Sequence, residues 1–138
     1  MKKVRVGING FGRIGRLVFR AGFEHVDVVG INDLSTVSTA AHLLKYDSTH
    51  GRYPKNVSHD EKNLIVDGKK IPMSASKNPA EIPWKQWGAD VVLECTGAFK
   101  GKDDFMKHVQ GGAKKVLVSA PADGVDLTVV FGINHTAY

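Results

Sequence analysis

Residues 7–16 read GINGFGRIGR, with glycines at 10, 12 and 15 in the spacing G-x-G-x-x-G. Alone, this spacing is a weak signal, compatible with a plain turn between a strand and a helix. Its surroundings sharpen it. A short β-branched run, Val4 to Ile8, precedes it, and Ile14, Leu17, Val18 and Ala21 recur at helical spacing after it. Strand before and helix after is the context in which the spacing marks a dinucleotide-binding turn. Each glycine then has its own reason. Gly10 permits the tight turn, Gly12 lets the backbone approach a pyrophosphate, and Gly15 lets the helix pack closely. The unpaired N–H groups around Phe11 to Ile14 would sit at a helix N-terminus, where donors and dipole favour an anion.

A second apolar run, Val26 to Ile31, ends at Asn32-Asp33. Asp33 lies 18 positions after Gly15, near the roughly 20 expected of the acid that binds the adenosine ribose. A carboxylate there accepts from the ribose hydroxyls and repels a 2′-phosphate, which favours NAD over NADP. An ordinary turn aspartate is the alternative reading. Gly10, Asp33, Thr96-Gly97 and Ser119 each follow a strand-like run. In a doubly wound sheet of order 3-2-1-4-5-6 these strand ends share one edge, and ligands bind there at the switch point. The adenosine half would lie toward Asp33, and the nicotinamide half toward Thr96 and Ser119. Both of those residues also read as plain strand-end caps.

The rest of the chain supports an α/β architecture. Ser38 to Tyr46 and Asp103 to Gln110 read as helices, the latter stopped by Gly111-Gly112 and opened by the acids Asp103 and Asp104. Val91 to Cys95, Val116 to Ser119 and Leu127 to Phe131 read as further strands. Alternating strands and helices imply a parallel sheet covered on both faces. Between them, NLIV, Asp67-Gly68 and KKIPMS spell a hairpin, read as a small antiparallel insertion. The expectation is a Rossmann-type, mostly parallel sheet forming one domain over 1–138. A chain of 138 residues suits a single core.

The formal charge is +5, from 19 basic and 14 acidic residues. The basic residues are scattered and not interleaved with aromatics, which argues against a dedicated nucleic-acid surface. No apolar run reaches the roughly 20 residues of a membrane span. A single cysteine, Cys95, excludes an internal disulfide, and together these features suggest a cytoplasmic protein. The six histidines show no metal spacing; most are expected at the surface. Cys95, within VVLECTG, reads as a small core residue of a buried strand.

INGFGRIGR, IND at 31–33, LLKYDSTHGRY at 43–53, ECTGAF at 94–99, GAKKVLVSAPA at 112–122 and VVFGINH at 129–135 together resemble phosphorylating glyceraldehyde-3-phosphate dehydrogenase. The likeness covers essentially the whole chain, but less than half of a family member. It implies an NAD-binding domain in which Arg13 and Ile14 give backbone contacts to the pyrophosphate. It also implies that Asn9 and Phe11 neighbour the dinucleotide, that Asp33 anchors the ribose and that Ser119 contacts the nicotinamide side. Lys77 stands where the family often has arginine near the adenine, and lysine lacks the planar, bidentate geometry. Asp47 and His50, in KYDSTHG, are expected to order a loop beside the cofactor or a subunit contact.

The family reaction oxidises glyceraldehyde 3-phosphate with phosphate and NAD. It needs a thiolate, a histidine base and a nicotinamide that accepts hydride. The family's nucleophile lies in a Ser-Cys-Thr-Thr-Asn-like stretch that does not occur in this sequence. The expectation is therefore a chain with no catalytic residue of its own, binding NAD but not oxidising substrate. Its implied partners are the missing catalytic domain and the other subunits of a homotetramer. Erythrose-4-phosphate dehydrogenase, a close relative, is the alternative.

Overall fold

A computed structural model describes residues 2–138. Its seven strands form one sheet in the order β3-β4-β5-β2-β1-β6-β7. The strands are β1 (Arg5–Asn9), β2 (Asp27–Asn32), β3 (Val57–His59), β4 (Asn63–Val66), β5 (Lys69–Ser74), β6 (Val91–Glu94) and β7 (Lys115–Val118). The helices are α1 (Arg13–Gly22), α2 (Val37–Lys45), α3 (Trp84–Trp87) and α4 (Lys102–Gln110), with 3₁₀ turns at Pro79–Glu81 and His135–Ala137. From β5 through β2, β1 and β6 to β7 the pairing is parallel. β3, β4 and β5 pair antiparallel.

The Asp67-Gly68 hairpin forms as expected. Asp67 has φ 49° and Gly68 φ 81°, the left-handed pair that a two-residue hairpin turn needs. The inserted hairpin does more than the sequence suggested. Its second strand, β5, pairs parallel with β2 through Ile31–Met73 and Asn32–Ser74, so it supplies the third position of the parallel core. One expected strand does not form. Leu127 to Phe131 runs as irregular chain and turn, and Val129, Val130 and Phe131 are exposed. The run does not pair with β7, which stays the edge strand of the sheet.

The sheet separates two cores. On one face Ile8, Ile31, Leu64 and Ile71 meet Phe19 of α1 and Leu44 of α2. The buried side of α1 is Gly15 and Phe19. The apolar stripe read from sequence lies elsewhere, with Ile14 and Val18 exposed. The small Gly15, rather than a large residue, lets this helix sit close to the strand end. On the other face Trp84 and Trp87 pack edge to face, 5.5 Å between centroids, beside Val92 and Ala113. Side chains alternate across a strand, so Gly7 and Gly30 face this side. A Cβ on Gly7 would fall 2.3 Å from the Trp84 ring, and one on Gly30 would fall 2.0 Å from Trp87. The two glycines give the indoles room to lie against the sheet.

Candidate functional site

The carboxyl ends of β1, β2 and β6 bound a cleft of about 380 Å³ lined by Asn9, Gly10, Gly12, Asn32, Asp33, Leu34, Ser76, Lys77, Cys95, Thr96, Ala98 and Phe99. It lies where β1 is flanked by β2 on one side and β6 on the other, the switch point of the sheet. Gly10 has φ +93°, and its Cβ would meet the Thr96 nitrogen at 2.7 Å. Only glycine allows β1 to turn while the two strand ends approach so closely. Gly15 is equally constrained, its Cβ position lying 2.1 Å from the Gly10 carbonyl oxygen. Gly12 is different, because nothing lies within 4 Å of its Cβ position. The protein does not need glycine there, so the open space above it is room for a ligand.

Gly12 caps α1, with no side chain bonded to the helix end and no acid in the first turn. The partial positive charge of the helix terminus is thus unneutralised, as an anion site requires. The N–H of Phe11 is not among the free donors, contrary to the reading from sequence. It donates to Asp33 Oδ1 at 2.8 Å. The Phe11 ring is buried, edge to face with Phe19 at 5.7 Å, so its side chain belongs to the core. The Arg13 guanidinium pairs with Asp47 through one of its nitrogens. Asp47 also accepts from the N–H groups of Thr49 and His50, both at 2.8 Å. The His50 bond leads in holding its carboxyl far below the usual range, against the opposing effect of burial. Asp47 therefore orders its loop beside α1.

Asp33 follows β2 and faces the glycine loop. Ser35 donates to its Oδ2 through backbone N–H at 3.0 Å and hydroxyl at 2.5 Å. Burial would raise its pKa, but the Ser35 and Phe11 bonds and the charge of Arg16 outweigh it and hold it below the usual range. An ionised carboxylate keeps further lone pairs for ribose hydroxyls. Lys77 is exposed at the cleft.

Thr96 also lines the cleft, and Gly97 takes φ +69° beside it. Ser119 and Ile14 lie outside the cleft lining. The Ser119 N–H bonds the Glu94 carbonyl at 3.1 Å, just past β7. Cys95 is half-buried and lines the cleft, just past the end of β6 rather than inside the strand. Burial pushes its thiol up, against a bond from Ser119. Among the described residues no group of three metal-ligating side chains occurs, and no helix is long and apolar enough to cross a membrane.

Two features escaped the sequence reading. Asn32 is 3% exposed and bridges the cleft floor to Ser74 and Ser76. Glu94 and His108 are 1% and 0% exposed and bonded to each other at 2.9 Å, so one histidine is deeply buried. An acid inside the apolar run VVLEC was the available signal, since a buried carboxylate must find partners.

The family profile described as "Glyceraldehyde 3-phosphate dehydrogenase, NAD binding domain" matches residues 4–102. Three glyceraldehyde-3-phosphate dehydrogenases show the similarity at the level of individual proteins. That of Streptomyces coelicolor is 53% identical over 138 residues, covering 98% of this chain and 41% of the relative. The Pseudomonas aeruginosa protein is 53% identical over 137 residues, covering 96% and 41%. The Geobacillus stearothermophilus protein is 50% identical over 137 residues, covering 98% and 41%. The chain thus spans about two-fifths of the length of these relatives.

Proposed function

The chain belongs to the family of glyceraldehyde 3-phosphate dehydrogenase NAD-binding domains, and from that premise we propose how it holds the dinucleotide and what it contributes to the reaction. The observation that carries the reading is the uncapped start of α1 at Gly12, open to the cleft and flanked by Asp33 and Thr96. The backbone N–H groups of Gly12, Arg13 and Ile14 receive the pyrophosphate, since the first N–H groups of a helix have no partner within it. Gly10 and the buried Phe11 ring fix the turn that aims them. The Asp33 carboxylate receives the adenosine ribose, Asn9 lies beneath the dinucleotide, and Lys77 neighbours the adenine. Thr96, Gly97 and Ser119 face the nicotinamide half. Residues 1–138 form one domain in this reading.

When bound, NAD supplies a hydride acceptor. The reaction of the family-length protein is the oxidation of glyceraldehyde 3-phosphate with phosphate to an acyl phosphate. Every relative named above carries the glyceraldehyde-3-phosphate name, which favours that substrate over erythrose 4-phosphate. This chain alone binds NAD without turning over substrate, because the nucleophile must be a thiolate and burial pushes the thiol of Cys95 up, away from the ionised form. A catalytic domain completes the enzyme, which assembles as a homotetramer in the cytoplasm.

Two assays test this. Asp33→Asn should narrow the preference for NAD over NADP by about tenfold, since the repulsion of a 2′-phosphate is lost. An unchanged preference would remove Asp33 from the ribose site. Purified chain mixed with glyceraldehyde 3-phosphate, phosphate and NAD should form no NADH. Turnover would make Cys95 a nucleophile after all.

A further inference from the structure

Beneath the cleft runs a continuous chain of buried hydrogen bonds with a fixed direction. Trp84 Nε1 donates to His108 Nδ1 at 2.9 Å. An indole N–H can only donate, so Nδ1 carries the lone pair and Nε2 the proton. That proton points at Glu94 Oε1, 2.9 Å away. Asn9 Nδ2 donates to the same oxygen at 2.7 Å. Thr96 donates twice to Glu94 Oε2, from its N–H at 2.9 Å and its hydroxyl at 2.6 Å. The Thr96 hydroxyl in turn accepts from the Ala98 N–H at 3.0 Å. Four donors therefore converge on one carboxylate that is 1% exposed.

An ionised carboxylate only accepts, and this decides the amides beyond it. Asn9 must turn its NH₂ toward Glu94 and its carbonyl toward Asn32, whose Nδ2 donates to it at 2.8 Å. Asn32 must then turn its carbonyl toward Ser74 and Ser76. It accepts there from the Ser74 hydroxyl at 2.7 Å and the Ser76 N–H at 2.9 Å. The Ser76 carbonyl accepts from Asn32 Nδ2 at 2.9 Å, so the far end imposes the same orientation independently. Glu94 thus reaches both walls of the cleft: Thr96 directly, Ala98 through the Thr96 hydroxyl, and Ser76 through Asn9 and Asn32. Asn9, Asn32, Ser76, Thr96 and Ala98 all line it.

We propose that Glu94 is the positioning residue of the dinucleotide cleft. Its carboxylate, held by the Nε2–H of His108, sets the shape of the nicotinamide wall through Thr96 and orients Asn9, which meets the adenosine wall at Asn32, itself fixed from the far end by the Ser76 backbone. The inference rests on the NAD reading above. Glu94→Gln replaces one acceptor oxygen by an NH₂ donor, which then faces the N–H groups of His108 and Asn9 or, turned over, the N–H of Thr96 beside a hydroxyl that must rotate to accept. The damage falls on the cleft walls.

The test compares the chain, E94Q and V66A by calorimetric titration with NAD and with AMP, at a temperature where each is folded. Val66 is buried in β4, away from the cleft, and reports the effect of lost packing alone. E94Q should bind NAD at least about tenfold more weakly, the scale of a hydrogen bond to a charged group left unmade, and AMP should weaken with it. V66A should keep both affinities within about twofold. Wild-type affinities in E94Q, or losses matched by V66A, would overturn the proposal. Should E94Q not fold, the imidazole ¹⁵N spectrum of the unmodified chain decides: a proton on Nε2 and none on Nδ1 of His108 is required, and a protonated Nδ1 would overturn it. Failure of the unmodified chain to bind NAD would instead sink the functional reading, with the imidazole spectrum still testing the hydrogen-bond chain.

Discussion

The two faces of the sheet are held by different physics. The first is mainly aliphatic: Ile8, Ile31, Leu44, Leu64 and Ile71 are each 1% exposed or less, joined by the rings of Phe11, Phe19 and Tyr53, and burial of apolar area stabilises it in many shares. On such a face the cost of a change follows the apolar area and volume removed, because hydrophobic stabilisation is non-directional and roughly proportional to area. The second depends on a few large and polar groups. Trp84 fills the space left by Gly7, binds His108, and through it meets Glu94 beneath the cleft. There a single change leaves a large void or an unpaired buried group. Glu94 thus links the indole face to the cleft by directional bonds, whereas the other face meets the cleft through the packing of Phe11 under the glycine turn.

The largest effect should come from Trp84→Ala, at about 3–5 kcal/mol of stability from the lost ring and its void. Urea unfolding measures it, and a loss below about 1 kcal/mol would mean that the two faces do not differ as described. An intermediate effect should come from acid. Burial alone would raise the Glu94 pKa, but the bonds from His108, Thr96 and Asn9 outweigh it and hold the group below its ordinary 4.5. A depressed folded-state pKa means that the opened chain takes up the proton first as the pH falls. The stabilisation is complete above about pH 4.5 and is lost as the pH drops through the folded value. Amide exchange at pH 4 should therefore quicken in β6 and α4 relative to β4 and β5, whose shared core holds no buried carboxyl. Faster exchange in β4 and β5 would reverse the comparison. The smallest effect should be that of Ile71→Val on the aliphatic face, about 1 kcal/mol. Its NAD affinity should match the unmodified chain by calorimetry, and a clear loss would tie the aliphatic face to the cleft as well.

Most of the fold could be read from sequence, because its signals are local. The glycine loop, the Asp67-Gly68 turn, the first-turn acids Asp103 and Asp104 and the Gly111-Gly112 stop each act within a few residues of themselves. The spacing of Ile14, Leu17, Val18 and Ala21 gives the helix α1 correctly but not which of its sides is buried. Leu127–Phe131 has the composition of a strand and forms none. What packs against a segment is information that composition and periodicity do not carry. In the site, Gly10, Gly12, Asp33 and Thr96 stood out because a turn geometry or a strand end demanded them. Asn32, Glu94 and His108 did not. Their partners lie as far as 85 residues away in sequence, as with Asn9 and Glu94, and only the folded sheet brings them together. The role of Gly7 and Gly30 was hidden likewise, since each answers to a tryptophan more than 50 positions on.

In the proposed function the cleft between β1, β2 and β6 holds NAD and Asp33 reads the adenosine ribose. Calorimetric titration of the unmodified chain with NAD and then NADP tests it most directly. Saturable binding of one NAD per chain is expected, with NADP weaker by about tenfold or more because Asp33 repels its 2′-phosphate. No binding of NAD, or a preference for NADP, would contradict it.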